Sequence, residues 1–177
     1  MTGLETKFQA RVQPVALGAG AVISGYASVF GLRDQGGDVV MPGAYSASLN
    51  RLAARGGRVR MLWQHDQAQP IGVWDEVAED AHGLRVKGRL LTEVSKAREA
   101  AALIAAGAVD GLSIGYRTIR AEKLPEGGRR LLELELWEVS LVTFPMLPVA
   151  RASAKSQGGL LLDFARGIEA ARDALRG

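Results

Sequence analysis

Gly111-Leu112-Ser113-Ile114-Gly115-Tyr116-Arg117-Thr118-Ile119 is the stretch whose reading decides the fold. Its first five residues satisfy G-x-S-x-G, which in α/β-hydrolases sets a serine on a sharp turn from strand into helix. Here β-branched and aromatic residues follow the serine, and these favour a strand over a helix. Neither histidine, His65 or His82, comes after Ser113, as the order serine, acid, histidine would require. The elbow reading fails, and the stretch is a strand with a serine inside it.

The neighbouring sequence supports a sheet. Residues 109–121 are extended, Pro125-Glu126-Gly127-Gly128 marks a turn, and residues 129–144 mix alternating with continuous apolar composition, which predicts a curled sheet. Upstream, an Ala-rich helix is expected from about residue 93 to 106, capped by Thr92 and stopped by Gly107, with Val94, Ala97, Ala101 and Ile104 on its apolar stripe. Residues 71–78 and 84–91 form a strand pair around Asp80-Ala81-His82-Gly83, and Val59-Arg60-Met61-Leu62-Trp63 reads as another strand. Tyr45, Leu49 and Leu52 recur at helical spacing between Pro42-Gly43 and Gly56-Gly57. Residues 5–12 and 21–30 read as strands around Gly18-Ala19-Gly20. The class is mainly β with flanking helices, and Trp63, Trp74 and Trp137 are assigned to core packing. Residues 1–150 form the folded domain, 151–159 a flexible connection, and 160–177 an amphipathic tail helix with Leu161, Ala165, Ile168, Ala171 and Leu175 near one face.

The whole chain, 177 residues and 18.8 kDa, suits one domain, and 47% hydrophobic content excludes a disordered chain. The absence of Cys removes disulfides, thiolate catalysis and cysteine-ligated zinc. A formal charge of +3, from scattered cations, gives no footprint for nucleic acid or an anionic membrane. No apolar run approaches the roughly 20 residues a bilayer requires, and the first residues lack the order of a signal peptide, so a cytoplasmic chain is expected. There is no G-x-G-x-x-G and no phosphate-binding G-x-x-x-x-G-K-[ST]; Asp34-Gln35-Gly36-Gly37-Asp38 lacks the calcium-loop pattern, and two separated histidines make no zinc cluster. No cofactor and no metal are expected.

Serine chemistry requires a base, since an unassisted hydroxyl is a poor nucleophile. His65 follows the apolar Leu62-Trp63-Gln64 edge where a strand meets a loop, whereas His82 sits at a hairpin tip as an ordinary polar turn residue. A third group would orient the imidazole, and Glu138, set within an apolar run, is the best candidate. Glu135 and Glu138 differ by an odd number, so in an unbroken strand they face opposite sides, unless a bulge intervenes. Each candidate keeps a structural alternative: Ser113 as a strand serine, His65 as a loop or core histidine, Glu138 as the partner of an arginine or a member of a structural network.

Taken in order, Ser24-Gly25-Tyr26-Ala27-Ser28-Val29-Phe30, Gly37-Asp38-Val39-Val40-Met41-Pro42-Gly43-Ala44-Tyr45, Leu62-Trp63-Gln64-His65-Asp66, Gly111-Leu112-Ser113-Ile114-Gly115-Tyr116 and Glu138-Val139-Ser140-Leu141-Val142-Thr143-Phe144-Pro145 resemble the prohead maturation proteases of tailed bacteriophages and gene-transfer elements. That family is likened in fold to herpesvirus capsid-assembly proteases, and the resemblance spans about residues 22–148. It implies a closed or partly closed β-barrel, His65 as general base, Ser113 as nucleophile and Glu138 as the acidic third member. It also implies a serine endopeptidase that cleaves the major capsid protein's scaffold region, or itself, in the host cytoplasm within assembling proheads or gene-transfer particles, as a homodimer without nucleic acid or membrane. Residues 151–159 are the expected self-processing region. Met146-Leu147-Pro148-Val149-Ala150 departs from the family's commoner Ala-Asn-Pro ending. The alternative is a catalytically inactive scaffold-binding or capsid-assembly module; a remoter one is an esterase or amidase. The catalytic reading places the Ser113 hydroxyl beside His65 at the mouth of a peptide-wide groove.

Overall fold

The computed structural model describes residues 5–7 and 16–143. The expected connection at 151–159, the tail helix at 160–177, the Ala-Asn-Pro departure and most of the first expected strand lie outside the described residues. The elements are β1 Glu5–Lys7, β2 Ala16–Gly18, β3 Val22–Val29, β4 Val39–Val40, α1 Ser46–Ala54, β5 Arg60–Trp63, β6 Asp66–Glu79, β7 Gly83–Leu90, α2 Ser95–Ala105, β8 Gly111–Lys123 and β9 Arg129–Val142. The strands make one sheet in the order β1-β8-β9-β5-β6-β7-β3-β2, with β4 also paired to β9. Pairing is antiparallel except for β4 and β5, which both run parallel to β9.

Register shifts punctuate β3–β7, β5–β6, β6–β7 and β8–β9. Bulges increase local twist, and the sheet curls until β3 and β8 approach within 8 Å between Cα atoms without pairing. The described residues thus form a curled half-barrel with an open ladder. Its concave side holds the core, including Ile23, Ile71, Leu84, Ile114, Leu134 and Val139. Trp74 is buried there and donates its indole N–H to the Val139 carbonyl at 3.2 Å.

Helix α1 has no cap from its own segment; β6 supplies one. Glu79 accepts the Tyr45 N–H at 3.0 Å through Oε1, and the Ser46 hydroxyl through Oε2. A carboxylate there satisfies donors of the first turn and complements the helix dipole. Leu49 and Leu52 pack against the core as their spacing predicts, and the buried Ser48 accepts the Leu136 N–H at 2.9 Å. Tyr45 is fully buried and donates to Ser28 Oγ at 2.8 Å, and burial pushes its phenol above the usual range.

Helix α2 corrects two expectations. Its N-cap is Val94, without a side-chain cap bond, and Thr92 instead offers its carbonyl to the Arg98 guanidinium at 2.8 Å. Ala97, Ala100 and Ile104 are buried and Ala101 packs partly buried against the core, as expected of three of these, whereas the extended backbone of Val94 takes that residue off the helical pattern and leaves it exposed. Gly107 ends the helix at φ 71°, its N–H donating to the Ile104 carbonyl and the Ala108 N–H to the Leu103 carbonyl, the pair of hydrogen bonds of a left-handed stop.

The Asp34 to Asp38 loop has a structural task. Asp38 takes the Arg129 side chain through Nη2 at 2.6 Å and Nε at 3.1 Å, and also the Arg129 backbone N–H at 2.8 Å. Arg33 joins the same hairpin through Glu126 and the Gly127 carbonyl. The loop is thereby clipped to the β8–β9 turn. No helix among the described residues is long and apolar enough to cross a membrane.

Candidate active site

β5 and β6 are joined by Gln64 and His65 alone, flanked by the Trp63–Asp66 pair. Both residues are left-handed, at φ 52° and 61°. Two successive positive φ values match the twist of a two-residue hairpin but are disfavoured in non-glycine residues. The end of β9 holds them in place: the Gln64 N–H donates to the Leu141 carbonyl at 2.9 Å, the His65 N–H to Ser140 Oγ at 3.1 Å, and Gln64 Nε2 to Thr143 Oγ1 at 2.6 Å. The turn that carries the imidazole is thus strapped to β9.

β8 and β9 supply the remaining groups. Ser113 pairs with Ser140, and Gly115 with Glu138, on the face opposite Leu112, Ile114, Val139 and Leu141 of the core. His65 Nε2 lies 2.7 Å from Ser113 Oγ, and His65 Nδ1 lies 2.5 Å from Glu138 Oε1. The Ser140 hydroxyl donates to Glu138 Oε2 at 2.6 Å. The three candidates from the sequence therefore meet in one hydrogen-bonded line. Glu138 is 4% exposed and the imidazole is partly buried.

Other residues depart from expectation or find separate roles. A bulge just before Glu138 sets Gly115 opposite Glu138 but Tyr116 opposite Leu136, leaving Trp137 as the extra residue. Trp137 is consequently 40% exposed instead of packed in the core, whereas Trp63 is partly buried against the core. The bulge also reverses the parity argument. Glu135 nevertheless stays out of the site, because it pairs with Arg117 at 2.6 Å. His82 is exposed at its hairpin tip, edge-on to Tyr26 with centroids 4.7 Å apart.

Ser113 is 0% exposed, which differs from the open groove mouth expected of it. It sits inside a long strand flanked by β9 on one side and β1 on the other, with the imidazole laid against its hydroxyl. The neighbouring cavity, about 470 Å³, opens beyond the imidazole and is lined by Arg60, Leu62, His65, Pro70, Trp137 and Glu138 among others. Among the described residues no three His, Asp or Glu side chains converge as metal ligands would.

A model of the caudovirus prohead serine proteases matches residues 8–160. The chain belongs to that family. This family member is 34% identical over 160 residues to the prohead protease of Enterobacteria phage HK97, covering 88% of the chain and 66% of that protein. It is 36% identical over 94 residues to a capsid polyprotein of Pseudomonas phage PAJU2, covering 49% of the chain and 14% of that polyprotein. It thus spans just under two-thirds of the first relative's length and a small part of the second's. In fold it is similar to the bacteriophage T4 capsid assembly protease, with a TM-score of 0.61 at 14% identity over 81% of this chain and 97% of that one.

Sequence reading missed Ser140 and Gly115, which surround the Glu138 carboxylate. The signal was their period: Ser113 and Gly115 on one strand, and Glu138 and Ser140 on the next, each two residues apart and so on a common face.

Proposed function

We propose that this prohead-protease family member is a serine endopeptidase in which Ser113 is the nucleophile, His65 the general base and Glu138 the group that orients the imidazole. The observation that carries this reading is the unbroken line from Ser113 Oγ through both ring nitrogens of His65 to Glu138, with contacts of 2.7 and 2.5 Å. The Ser113 hydroxyl attacks a peptide carbonyl while Nε2 of His65 takes its proton, giving a tetrahedral intermediate. His65 returns that proton to the departing amine, an acyl-enzyme remains on Ser113, and water activated by the same imidazole releases the acid. Glu138 stabilises the imidazolium in both halves. Because Ser113 is buried, the hydroxyl must be uncovered as the peptide binds.

The proposed substrates, a reading that the prohead-protease family and its capsid-polyprotein relative support, are the scaffold region of a major capsid protein and the protease itself, cut in the host cytoplasm within assembling proheads or gene-transfer particles. Residues 151–159 remain the proposed self-processing region. The half-barrel is proposed as a variant of the herpesvirus capsid-assembly protease fold, acting as a homodimer with neither nucleic acid nor membrane as partner. An inactive scaffold-binding module is the competing reading, and product formation separates the two. Wild type, Ser113→Ala and His65→Ala are incubated with the cognate scaffold-containing capsid protein, and the products are mapped by mass. Cleavage is expected from wild type and is expected to be largely lost in both variants. Cleavage that persists without Ser113 rejects the mechanism, and no cleavage by wild type favours the binding module. If wild type and Ser113→Ala each keep their own full-length mass after incubation, while wild type cuts capsid protein, self-processing is rejected.

A further inference from the structure

Resting on the triad proposed above, we infer that Ser140 is a positioning residue for it, a hydroxyl that sets the direction of each proton along the line to Ser113, with Gly115 providing the space in which Glu138 sits. A backbone N–H only donates, so the His65 N–H, 3.1 Å from Ser140 Oγ, makes that oxygen an acceptor. The single Ser140 proton is then given to Glu138 Oε2 at 2.6 Å. Were Oε2 itself protonated toward Ser140, the Ser140 hydrogen would lose this partner in a residue that is 0% exposed, an arrangement that costs stability. With Glu138 ionised, as a hydroxyl donor at Oε2 favours, Oε1 accepts from His65 Nδ1 at 2.5 Å. With its proton on Nδ1, a neutral imidazole presents a lone pair at Nε2, 2.7 Å from Ser113 Oγ. The tautomer a general base requires is fixed from the far end of the chain, by a main-chain donor.

The same hydroxyl holds the base and its orienting acid together, since it anchors the left-handed backbone of His65 with one lone pair and the second carboxylate oxygen of Glu138 with its proton. Gly115 completes the arrangement from β8. A Cβ there would lie 2.7 Å from Glu138 Cδ and 2.8 Å from Cγ, closer than packed carbons tolerate. The carboxylate thus occupies the volume that any other residue at 115 would fill.

The test uses the full chain and a fluorophosphonate probe, with labelling of Ser113 followed by intact mass, so that no natural substrate is needed. Ser140→Ala is expected to lower kinact by about 10- to 100-fold, with KI changed by less than about 2-fold, the size of a lost hydrogen bond to a charged group. In a Glu138→Gln background the same change is expected to cost several-fold less, because the carboxylate partner is already altered and only the bond from the His65 N–H remains to be lost. The far-downfield proton resonance of the His65 Nδ1–H is expected in wild type and shifted or lost in Ser140→Ala and Gly115→Ala. Should Ser140→Ala fail to give a native circular-dichroism spectrum, Ser140→Cys, close in volume but a weaker donor, is judged by the same measurements. Labelling at the wild-type rate with an unchanged resonance overturns the positioning role, as does an equal loss in both backgrounds. Wild type that is not labelled at Ser113, or is labelled equally in His65→Ala, overturns the triad itself and the role of Ser140 with it.

Discussion

Glu138 meets His65 across 73 residues of sequence, with Oε1 2.5 Å from Nδ1, because parallel β5 and β9 place Trp63 beside Leu141 and the two-residue turn then swings the imidazole back over the sheet. An amide in place of that carboxylate removes the charge that balances an imidazolium and lets its NH₂ group compete for the Nδ1 side.

Glu138→Gln is therefore expected to slow fluorophosphonate labelling of Ser113 by roughly 100- to 10,000-fold, as in the serine protease template where the orienting acid becomes an amide. The fold should be retained, because the amide fills the same volume. An unchanged labelling rate would remove Glu138 from the proposed mechanism and leave Ser113 and His65 in place.

Glu79 offers a test away from the site. Its carboxylate alone reaches both the Tyr45 N–H and the Ser46 hydroxyl at the start of α1. Glu79→Ala should cost about 1–2 kcal/mol through the lost cap. For a chain of this size that lowers Tm by roughly 2–8 °C in a thermal melt. A melt that coincides with wild type would show that the cap contributes nothing.

Asp38 is 7% exposed and accepts hydrogen bonds from three nitrogens of Arg129, which itself reaches solvent. Asp38→Ala leaves the Arg129 N–H and guanidinium without these partners at the join between the loop and the β8–β9 turn. A loss of about 2–3 kcal/mol is expected in denaturant unfolding, below the range for a fully buried pair because Arg129 is partly solvated. Hydrogen exchange should quicken first at residues 33–40 and 124–130. Uniform quickening across the sheet would contradict a local clip.

The Tyr26 hydroxyl donates to Asp80 Oδ2 at 2.6 Å. That bond holds the Asp80 carboxyl below its ordinary value and raises the Tyr26 phenol, with the charged carboxylate nearby adding to the latter shift. For the depressed carboxyl, the stabilising contribution is complete above the unfolded value near 4 and fades as pH falls through the lower folded value. For the raised phenol, it is complete below about 10 and fades as pH rises through the higher folded value. Tyr26→Phe should therefore lower Tm slightly at neutral pH, and the gap from wild type should narrow at both extremes. A gap of constant size from pH 2 to pH 11 would assign it to packing against His82 instead.

Much of the fold was legible because its signals are local. The strand pair around Asp80-Ala81-His82-Gly83, the turn at Pro125 to Gly128 and the helix stopped by Gly107 follow from turn residues and periodicity. Thr92 misled because a capping residue type is also common just outside a helix, and here Val94 takes the boundary with extended backbone. Trp137 misled because period two holds only until a bulge, and nothing in Leu136-Trp137-Glu138 announces one.

The sequence by itself determined that Ser113 lies within a strand, that His65 sits where a strand turns, and that Glu138 interrupts an apolar run, since strand propensity, turn position and hydropathy are properties of neighbouring residues. Tertiary structure alone decided that these three meet, that Ser140 and Gly115 enclose the carboxylate, and that the serine is covered. Those outcomes depend on the register of β8 and β5 against β9, and register is fixed by long-range pairing and bulges that no local segment encodes.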